Sequence, residues 1–209
     1  GDNAGAAVGC GAVGDGRCNI SLGTSGTVFI TSDKFTVDKK NALHSFRHAD
    51  GGYHLMGCIL SAASCNKWWM EDILQTKEFA AEQAGIDDKS LGGNDVYYLP
   101  YLMGERSPHN DPAARSAFVG MRMDTPRAAM TQAVLEGVAF AIRDCLEIAR
   151  AQGVTVTTST VCGGGAKSPL WREILANVLG VTLTMPQTEQ GPGYGGAMLA
   201  MVGCGRFST

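Results

Sequence analysis

The stretch that decides the fold is Gly163-Gly164-Gly165-Ala166-Lys167-Ser168. It lies between an apolar run at Ser159–Cys162, typical of a short buried strand, and a helical pattern that begins near Pro169. Glycines directly after a strand let the backbone approach a flat or charged partner that any side chain would obstruct. The first N–H groups of the next helix would face the same place, which suits an anion or a nucleotide. An ordinary tight turn is the alternative for this run taken alone.

A second glycine bend, Leu22-Gly23-Thr24-Ser25-Gly26, lies far upstream between two strand-like runs. Its residues Gly23, Thr24, Ser25 and Gly26 supply several backbone N–H groups and two hydroxyls within one turn. That combination suits a terminal phosphate, because phosphoryl transfer depends mainly on positioning and on stabilising charge. A hairpin turn with ordinary hydroxyl hydrogen bonds is the alternative. We predict that the two bends face each other across one nucleotide, with Asp2 facing the reaction from one end.

The composition excludes several classes of partner. The 209 residues include 28 glycines and are 44% hydrophobic and 18% charged, which is typical of a globular chain with one generous domain or two small ones. A formal net charge of −3 gives no electrostatic reason to expect nucleic acid or an anionic membrane as a partner. No apolar run approaches the roughly 18–20 residues of a transmembrane helix, and no signal peptide is visible.

Cysteines and histidines give no sign of a metal site. The seven cysteines are odd in number, form no C-x-x-C pair and include several within apolar periodic runs. This pattern predicts buried thiols in a reducing cytoplasm rather than a disulfide framework or a zinc site. His44 and His48 have i,i+4 spacing, but their segment has no helical apolar face and no third ligand nearby. We therefore predict no metal ligands in this chain.

The order of periodic runs predicts one α/β domain with a mixed sheet flanked by helices. The predicted strands are Cys18–Leu22, Thr27–Thr31, Tyr53–Leu60, Val96–Leu99, Ala117–Met121, Ser159–Cys162 and Val181–Met185. The predicted helices are Asp2–Ala12, Ala62–Leu74, Lys77–Ala84, Pro126–Gln152, Pro169–Leu179 and a final helix that ends near Val202.

The strongest helical signal is Pro126–Gln152, for which Thr125 is the predicted N-cap, Pro126 the first helical residue and Gly153 the residue that ends it. The stretch Gly191–Gly196 is predicted to be a glycine loop before the last helix.

Other nucleotide-binding motifs do not fit. Gly9–Gly14 and Gly191–Gly196 both match G-x-G-x-x-G, but the first lies within a helix of small residues with no strand before it. The second lacks residues for the acidic partner that a dinucleotide fold places about 20 positions on. A Walker P-loop fails because Ala166, not glycine, precedes Lys167-Ser168. A nucleotide site in this chain must therefore be formed by glycine hairpins.

Three charged residues leave alternatives open. Asp2 lies at a predicted helix N-terminus, where it is either an N-cap or a well-positioned carboxylate that accepts a proton from a substrate hydroxyl. Glu105 and Arg106 either form a surface ion pair or face a cleft, and the pattern favours a structural role.

The runs Gly1–Gly5, Ser21–Gly26 and Gly163–Ala166 resemble, in order and spacing, the C-terminal domain of FGGY carbohydrate kinases. The segment from Ala117–Met121 through Ala133–Gly137 resembles that family's second signature. Within the family, the branch that acts on D-xylulose best matches the runs His44–His48, His54–Met56, Leu60–Cys65 and Leu99–Asn110. The likeness spans nearly the whole chain.

This resemblance implies an actin-like ATPase (ribonuclease H-like) fold, with residues 1–209 as the C-terminal nucleotide-binding lobe and the N-terminal sugar-binding lobe absent from the chain. It implies ATP-dependent phosphorylation of the sugar at its terminal hydroxyl, with Mg²⁺, in the cytoplasm. The fragment alone is expected to be inactive, and the resemblance leaves a homodimer open. The alternatives are an actin-like nucleotide-binding module without catalysis, or a sibling kinase acting on another polyol or ketose.

The resemblance also implies residue roles. Asp2 matches the general base, and Asp2 and Asn3 match sugar contacts. The phosphate hinge corresponds to Gly23, Thr24, Ser25 and Gly26, and the adenosine-binding turn to Gly163, Gly164, Gly165 and Ala166. Gly120 falls where the family has a glycine near the nucleotide.

Overall fold

Eight strands form a six-stranded sheet and a separate ribbon in a computed structural model that describes residues 2–187 and 191–208. In chain order they are β1 (Cys18–Leu22), β2 (Gly26–Ser32), β3 (His44–Arg47), β4 (Tyr53–Ile59), β5 (Tyr97–Leu99), β6 (Ala117–Val119), β7 (Thr158–Cys162) and β8 (Thr182–Thr184). The sheet has the order β3-β4-β2-β1-β7-β8, while β5 and β6 pair only with each other. Strands β1 to β4 pair antiparallel, and β7 runs parallel to both β1 and β8, so the predicted mixed sheet is confirmed.

Strand β3 was not predicted. It is a short edge strand that pairs with β4 through His44 opposite Met56 and Arg47 opposite Tyr53. Its residues are half-buried or exposed, because one side of an edge strand has no neighbour. With polar residues along it and no apolar alternation, the segment carries no local strand signal.

The described residues form six α-helices: α1 (Asp2–Gly9), α2 (Ala63–Trp68), α3 (Phe79–Gln83), α4 (Arg127–Ala151), α5 (Pro169–Leu179) and α6 (Gly191–Gly203). A π-helical turn, Trp69–Ile73, continues α2, so the predicted helix Ala62–Leu74 is present in two forms. The predicted glycine loop Gly191–Gly196 is wrong, because these residues form the first turns of α6.

Helix α4 is the centre of the core, and most of its residues from Thr131 to Ala149 are buried. The predicted N-cap at Thr125 is wrong, since the Thr125 hydroxyl accepts a hydrogen bond from the Arg122 N–H at 2.8 Å in the preceding turn. Pro126 instead has extended backbone and directly precedes the helix. Gly153 ends α4 as predicted, with φ of +87° and its N–H donating to the Arg150 carbonyl. Helix α5 packs beside α4, and the Trp171 indole N–H donates to the Leu135 carbonyl at 2.9 Å.

The first and last helices pack backbone to backbone. A Cβ added to Gly5 would lie 2.9 Å from the Pro192 carbonyl oxygen, and one added to Gly195 would overlap the Gly5 carbonyl. Such close packing is available only where glycine removes the side chain. This tertiary contact explains why a glycine-rich run that is unfavourable for an isolated helix is helical here.

We expect Gly195→Ala to lower the free energy of unfolding by about 1–3 kcal/mol, because the added methyl group overlaps the Gly5 carbonyl. Urea denaturation with far-UV circular dichroism measures the change. Gly196→Ala is the matched control, since nothing lies within 4 Å of its added Cβ and alanine favours the helix. Equal midpoints for the two variants would show that the α1–α6 contact is not tight.

Helix α1 covers the sheet face that carries Phe29 and His54, whose rings stack with centroids 4.0 Å apart. His48 contacts both rings edge-on, and its Nε2 lies 3.0 Å from the Ala12 carbonyl after α1. Burial, followed by the charge of neighbouring His48, lowers the pKa of His54 from 6.5 to about 4. His54 is therefore neutral in the folded protein at neutral pH.

This depressed pKa makes the fold sensitive to acid. Between pH 6.5 and 4 the unfolded chain protonates His54 while the folded chain does not, so stability is present above pH 6.5 and is lost as the pH falls. We expect His54→Phe to remove about 2 kcal/mol of the loss between pH 7.5 and 5, as measured by urea denaturation at both values. A variant with the same pH dependence as the wild type would place the acid sensitivity elsewhere.

Candidate functional site

The two glycine bends lie side by side at one end of the sheet. Strands β1 and β7 are parallel neighbours that pair Ile20 with Val161, so the bends that follow them leave the sheet at the same edge. A Cβ on Gly163 would lie 2.7 Å from the Leu22 carbonyl oxygen and 3.1 Å from the Gly23 nitrogen. Gly163 also has φ of +92°, a conformation that strains other residues. The two bends are therefore in direct backbone contact.

Two carbonyls of the upstream bend are held by the start of α2. The Gly23 and Thr24 carbonyls accept hydrogen bonds from the N–H groups of Ala63 (2.8 Å) and Ala62 (2.9 Å), and the Ser64 hydroxyl donates to Thr24 O at 2.8 Å. Within residues 2–187 and 191–208, neither the N–H groups nor the hydroxyls of Thr24 and Ser25 donate a hydrogen bond. Thr24 and Ser25 are exposed, and successive donors without a partner in the chain favour an anion.

Gly26 has a packing role at the base of this bend. It is buried at the start of β2, and an added Cβ would lie 2.7 Å from the Ile59 side chain and 3.1 Å from Ala62. The bend can thus approach the start of α2 only with glycine at this position. Contact of Gly26 with a nucleotide remains a prediction.

The downstream bend is a 3₁₀ turn, Gly164–Lys167, that leads into α5. Gly165 is buried, and an added Cβ would lie 2.7 Å from the Trp171 ring and 2.9 Å from the Leu22 side chain. Gly164 differs because it is exposed and nothing lies within 4 Å of its added Cβ. Ala166 is buried beneath the turn, and its N–H donates to the Gly163 carbonyl at 3.1 Å. The turn therefore packs on the core through Gly165 and Ala166, while the backbone of Gly164 is exposed.

Two hollows of about 560 and about 730 Å³ open on the bends and share lining residues, so we treat them as one joined cleft. The shared residues are Asn66, Phe79, Gly164, Gly165 and Trp171. The smaller hollow also contains Gly23, Thr24, Ser64, Lys67 and Glu71, and the larger one Gln83, Ile86, Asp87, Ser168 and Leu170. Both hollows mix polar and apolar lining groups, as small-molecule sites often do.

Sequence reasoning missed the helix side of this cleft. Asn66 belongs to α2, and Phe79 and Gln83 belong to α3, with no glycine or charge pattern that distinguishes them from core residues. The signal was an asparagine within an otherwise small and apolar helical run, which is unfavourable unless its amide has a partner.

Asp2 and Asn3 do not line the joined cleft. Both are exposed in the first turn of α1, and an Asp2 carboxylate oxygen accepts the Asn3 N–H at 3.0 Å. Asp2 is the first residue of α1 rather than the N-cap before it. It lines a separate hollow of about 430 Å³ with Arg47–Ala49 at the end of β3 and with Leu199 of α6. The structure therefore brings the two bends together but not the carboxylate, whose role remains a prediction.

Gly120 also lies outside the residues that line the cleft. It follows β6 with φ of +90°, and an added Cβ would overlap the Asp95 carbonyl. Backbone geometry alone thus requires glycine at this position, and a contact with nucleotide remains a prediction.

Glu105 does not form a surface ion pair with Arg106. Glu105 is buried, and its Oε1 accepts the N–H groups of Leu60 (2.9 Å) and Arg106 (2.7 Å), whereas the Arg106 side chain is exposed. Burial raises the pKa of this carboxyl above its usual value. Glu105 therefore has the structural role that the pattern favoured, because it ties its loop to the end of β4.

Across the described ranges, no three His, Cys, Asp or Glu side chains are grouped so that they could hold a metal ion. These residues do not by themselves fit a Mg²⁺ site, so any Mg²⁺ bound here would depend on phosphate oxygens or on groups from outside them. Of the helices that the structure describes, none is both long and apolar enough to cross a membrane.

Comparison with known proteins identifies the family. Residues 18–204 match the FGGY family of carbohydrate kinases, C-terminal domain. The chain is 39% identical to a xylulose kinase of Escherichia coli K12 over 204 residues, which are 97% of this chain and 42% of that protein. It is 32% identical to a xylulose kinase of Bacillus subtilis 168 over 209 residues, covering 100% of this chain and 42% of that protein. The chain therefore belongs to the FGGY family of carbohydrate kinases.

Solved structures of sugar kinases support the same family and show the same fold. A Brucella ovis protein described as a xyloylose kinase superposes with a TM-score of 0.91 at 39% identity, covering 99% of this chain and 43% of that one. Xylulose kinase from Bifidobacterium adolescentis gives a TM-score of 0.84 at 32% identity, covering 100% of this chain and 41% of that one. The expected actin-like ATPase (ribonuclease H-like) fold is confirmed. The chain spans about 42% of the length of its curated relatives.

The contact between the bends can be tested at Gly163. We expect Gly163→Ala to lower the free energy of unfolding by about 2 kcal/mol, because the methyl group meets the Leu22 carbonyl and φ is positive. Gly164→Ala, one residue away in open space, should change it by less than about 0.5 kcal/mol. Urea denaturation measures both, and a neutral Gly163→Ala would mean that the bends are not in contact.

Proposed function

We propose that this chain is the C-terminal, nucleotide-binding lobe of a kinase that transfers the γ-phosphate of ATP to the terminal hydroxyl of D-xylulose, giving D-xylulose 5-phosphate. The observation that carries the proposal is the backbone contact between the two glycine bends, which open on one joined cleft. Family membership and relatives named xylulose kinase, at 39% and 32% identity, support it. Because the chain spans about 42% of those relatives, we propose that an N-terminal lobe binds the sugar.

The triphosphate would lie at the upstream bend. There the N–H groups and hydroxyls of Thr24 and Ser25 are available, since the carbonyls of this bend are held by the start of α2. Lys67 is exposed in the same hollow and would supply a positive charge, beside the negative charge of Glu71. Donors fixed before the reaction stabilise the charge of the transferring phosphoryl group without reorganising.

Adenosine would lie at the downstream bend and in the larger hollow. The exposed backbone of Gly164 allows a nucleoside to approach closely, and Phe79, Ile86 and Leu170 supply apolar contact. The joined cleft runs from residues of the upstream bend such as Thr24 to the start of α5 at Ser168, so one ligand could contact both bends.

Asp2 is the proposed general base. As the terminal sugar oxygen forms its bond to the γ-phosphorus, the bond from that phosphorus to the bridging oxygen breaks, ADP leaves, and the hydroxyl proton passes to the Asp2 carboxylate. Asp2 and Asn3 are exposed at the start of α1, where both are free to contact a sugar. Asp2 lies outside the residues that line the cleft. The sugar must therefore lie between Asp2 and the phosphate end of the cleft, or the two lobes must close around the sugar.

Mg²⁺ would accompany the ATP phosphates, where it neutralises negative charge. The proposed compartment is the cytoplasm, which fits the buried free thiols of Cys18, Cys65 and Cys145. Burial raises the pKa of Cys18 to about 11 and that of Cys65 to about 12, so both remain uncharged.

The test is a coupled ADP-release assay on the kinase containing both lobes, with D-xylulose and a panel of other ketoses and polyols. We expect turnover with D-xylulose and expect Asp2→Asn to reduce kcat by a factor of about 100 or more, as for loss of a general base. Asp33→Asn, an exposed carboxylate in the loop after β2, is the matched control and should keep full turnover.

Three other outcomes of this assay would each favour a different function or mechanism. Turnover only with another sugar would point to a sibling kinase of the family. ATP binding without turnover on any sugar would favour a nucleotide-binding module. Normal kcat in Asp2→Asn would remove Asp2 from the role of base.

A further inference from the structure

Helix α3 lines the larger hollow but is too short to hold its own position. Three of its five residues, Phe79, Ala80 and Gln83, belong to the lining, and much of the rest comes from the 3₁₀ turn and the start of α5. A helix of this length has almost no stability by itself, because further turns do not repay the cost of forming the first one. The shape of the hollow therefore depends on what anchors α3.

Glu82 anchors α3 to the long helix α4. Its Oε1 accepts the Nε–H of Arg127 at 2.8 Å, and its Oε2 accepts a hydrogen of Nη2 at 2.6 Å. The hydrogen bonds from Arg127 lower the pKa of Glu82, so the carboxylate is charged at neutral pH. Two parallel bonds between planar groups fix their orientation as well as their distance. Arg127 is the first residue of α4, the centre of the core, so the anchor point is rigid.

Thr131 connects this anchor to the core. Its hydroxyl lies 3.1 Å from the Glu82 Oε1 and accepts the indole N–H of Trp69 at 3.0 Å. Thr131 and Trp69 are buried, whereas the side chain of Arg127 is 54% exposed. An exposed partner in an ion pair contributes little to global stability. Removal of Arg127 should therefore act mainly on the position of α3.

Gln83 ties the same helix to α5. Its Oε1 accepts the hydroxyl of Ser168, the N-cap of α5, at 2.5 Å. Neighbouring residues of a helix point about 100° apart, so Glu82 and Gln83 hold α3 from two directions. Without Arg127, α3 could pivot about the contact between Gln83 and Ser168, and Phe79 would move with it.

We propose that Arg127 is a positioning residue for nucleotide binding, which acts through Glu82 to hold α3 so that Phe79 and Gln83 meet the nucleotide. The inference rests on the proposed function, since it needs ATP in the joined cleft. Neither Arg127 nor Glu82 is among the residues that line the cleft, so neither is expected to touch the ligand.

The test is steady-state kinetics of the kinase containing both lobes, with ADP release followed while either ATP or the sugar is varied. We expect Arg127→Ala to raise the KM for ATP about tenfold, as for loss of one good contact, and to leave kcat and the KM for the sugar within about twofold. Arg127→Lys keeps the charge without the two-point contact and should give an intermediate KM for ATP. The lysine variant decides the question if the alanine variant fails to fold.

Two further measurements make the result specific. Arg122→Ala is the matched control, because Arg122 is also an exposed arginine in an ion pair, 3.2 Å from Asp95, and lies outside the cleft lining. It should leave all three constants unchanged. Glu82→Gln and its combination with Arg127→Ala complete a double-mutant cycle. The combined variant should raise the KM for ATP no further than the stronger single variant, because both changes remove one shared contact.

Other outcomes would overturn the inference. Folded Arg127 variants with a lower melting temperature but an unchanged KM for ATP would give the ion pair a purely structural role. Equal increases in the KM values for ATP and the sugar would indicate a general loosening of the lobe, and additive effects in the cycle would show that Arg127 does not act through Glu82. A wild type that releases no ADP with any sugar would refute the proposed function itself, which these other results leave standing.

Discussion

The parallel pairing of β1 with β7 is the constraint on which the site depends. Side-by-side parallel strands end at the same edge of a sheet, so the bends after Leu22 and Cys162 emerge together although they are distant in the chain. The approach is close enough that only glycine fits at position 163. Helix α4 and Trp171 hold this arrangement from below, because the indole donates to a carbonyl of α4 while its ring packs against Gly165.

Much of this arrangement could be predicted because glycine and hydrophobic periodicity are local signals. Both bends, the mixed sheet and the long helix Arg127–Ala151 follow from residue types at neighbouring positions. What the sequence lacked was any local mark of tertiary contact. The run Gly191–Gly196 is helical only because Gly195 rests on Gly5, and strand β3 exists only because β4 offers an edge.

In the candidate site, too, some residues could be predicted from local sequence and others could not. Backbone groups of the bends were found because glycine marks them, whereas Asn66, Phe79 and Gln83 come from helices whose function depends on what they face. Asp2 illustrates the converse: its motif resembles a catalytic one, yet the described chain places it in a hollow of its own.

The hydrogen bonds from Ala62, Ala63 and Ser64 to the upstream bend make that bend and α2 one mechanical unit. Asn66 is one helical turn beyond those donors, so a shift of the bend would be transmitted directly to this part of the joined cleft. The parts of the cleft wall that come from the bend and from α2 therefore move together. Grafting this bend into another protein would keep its conformation only if the whole segment from Leu22 to Asn66 were transferred.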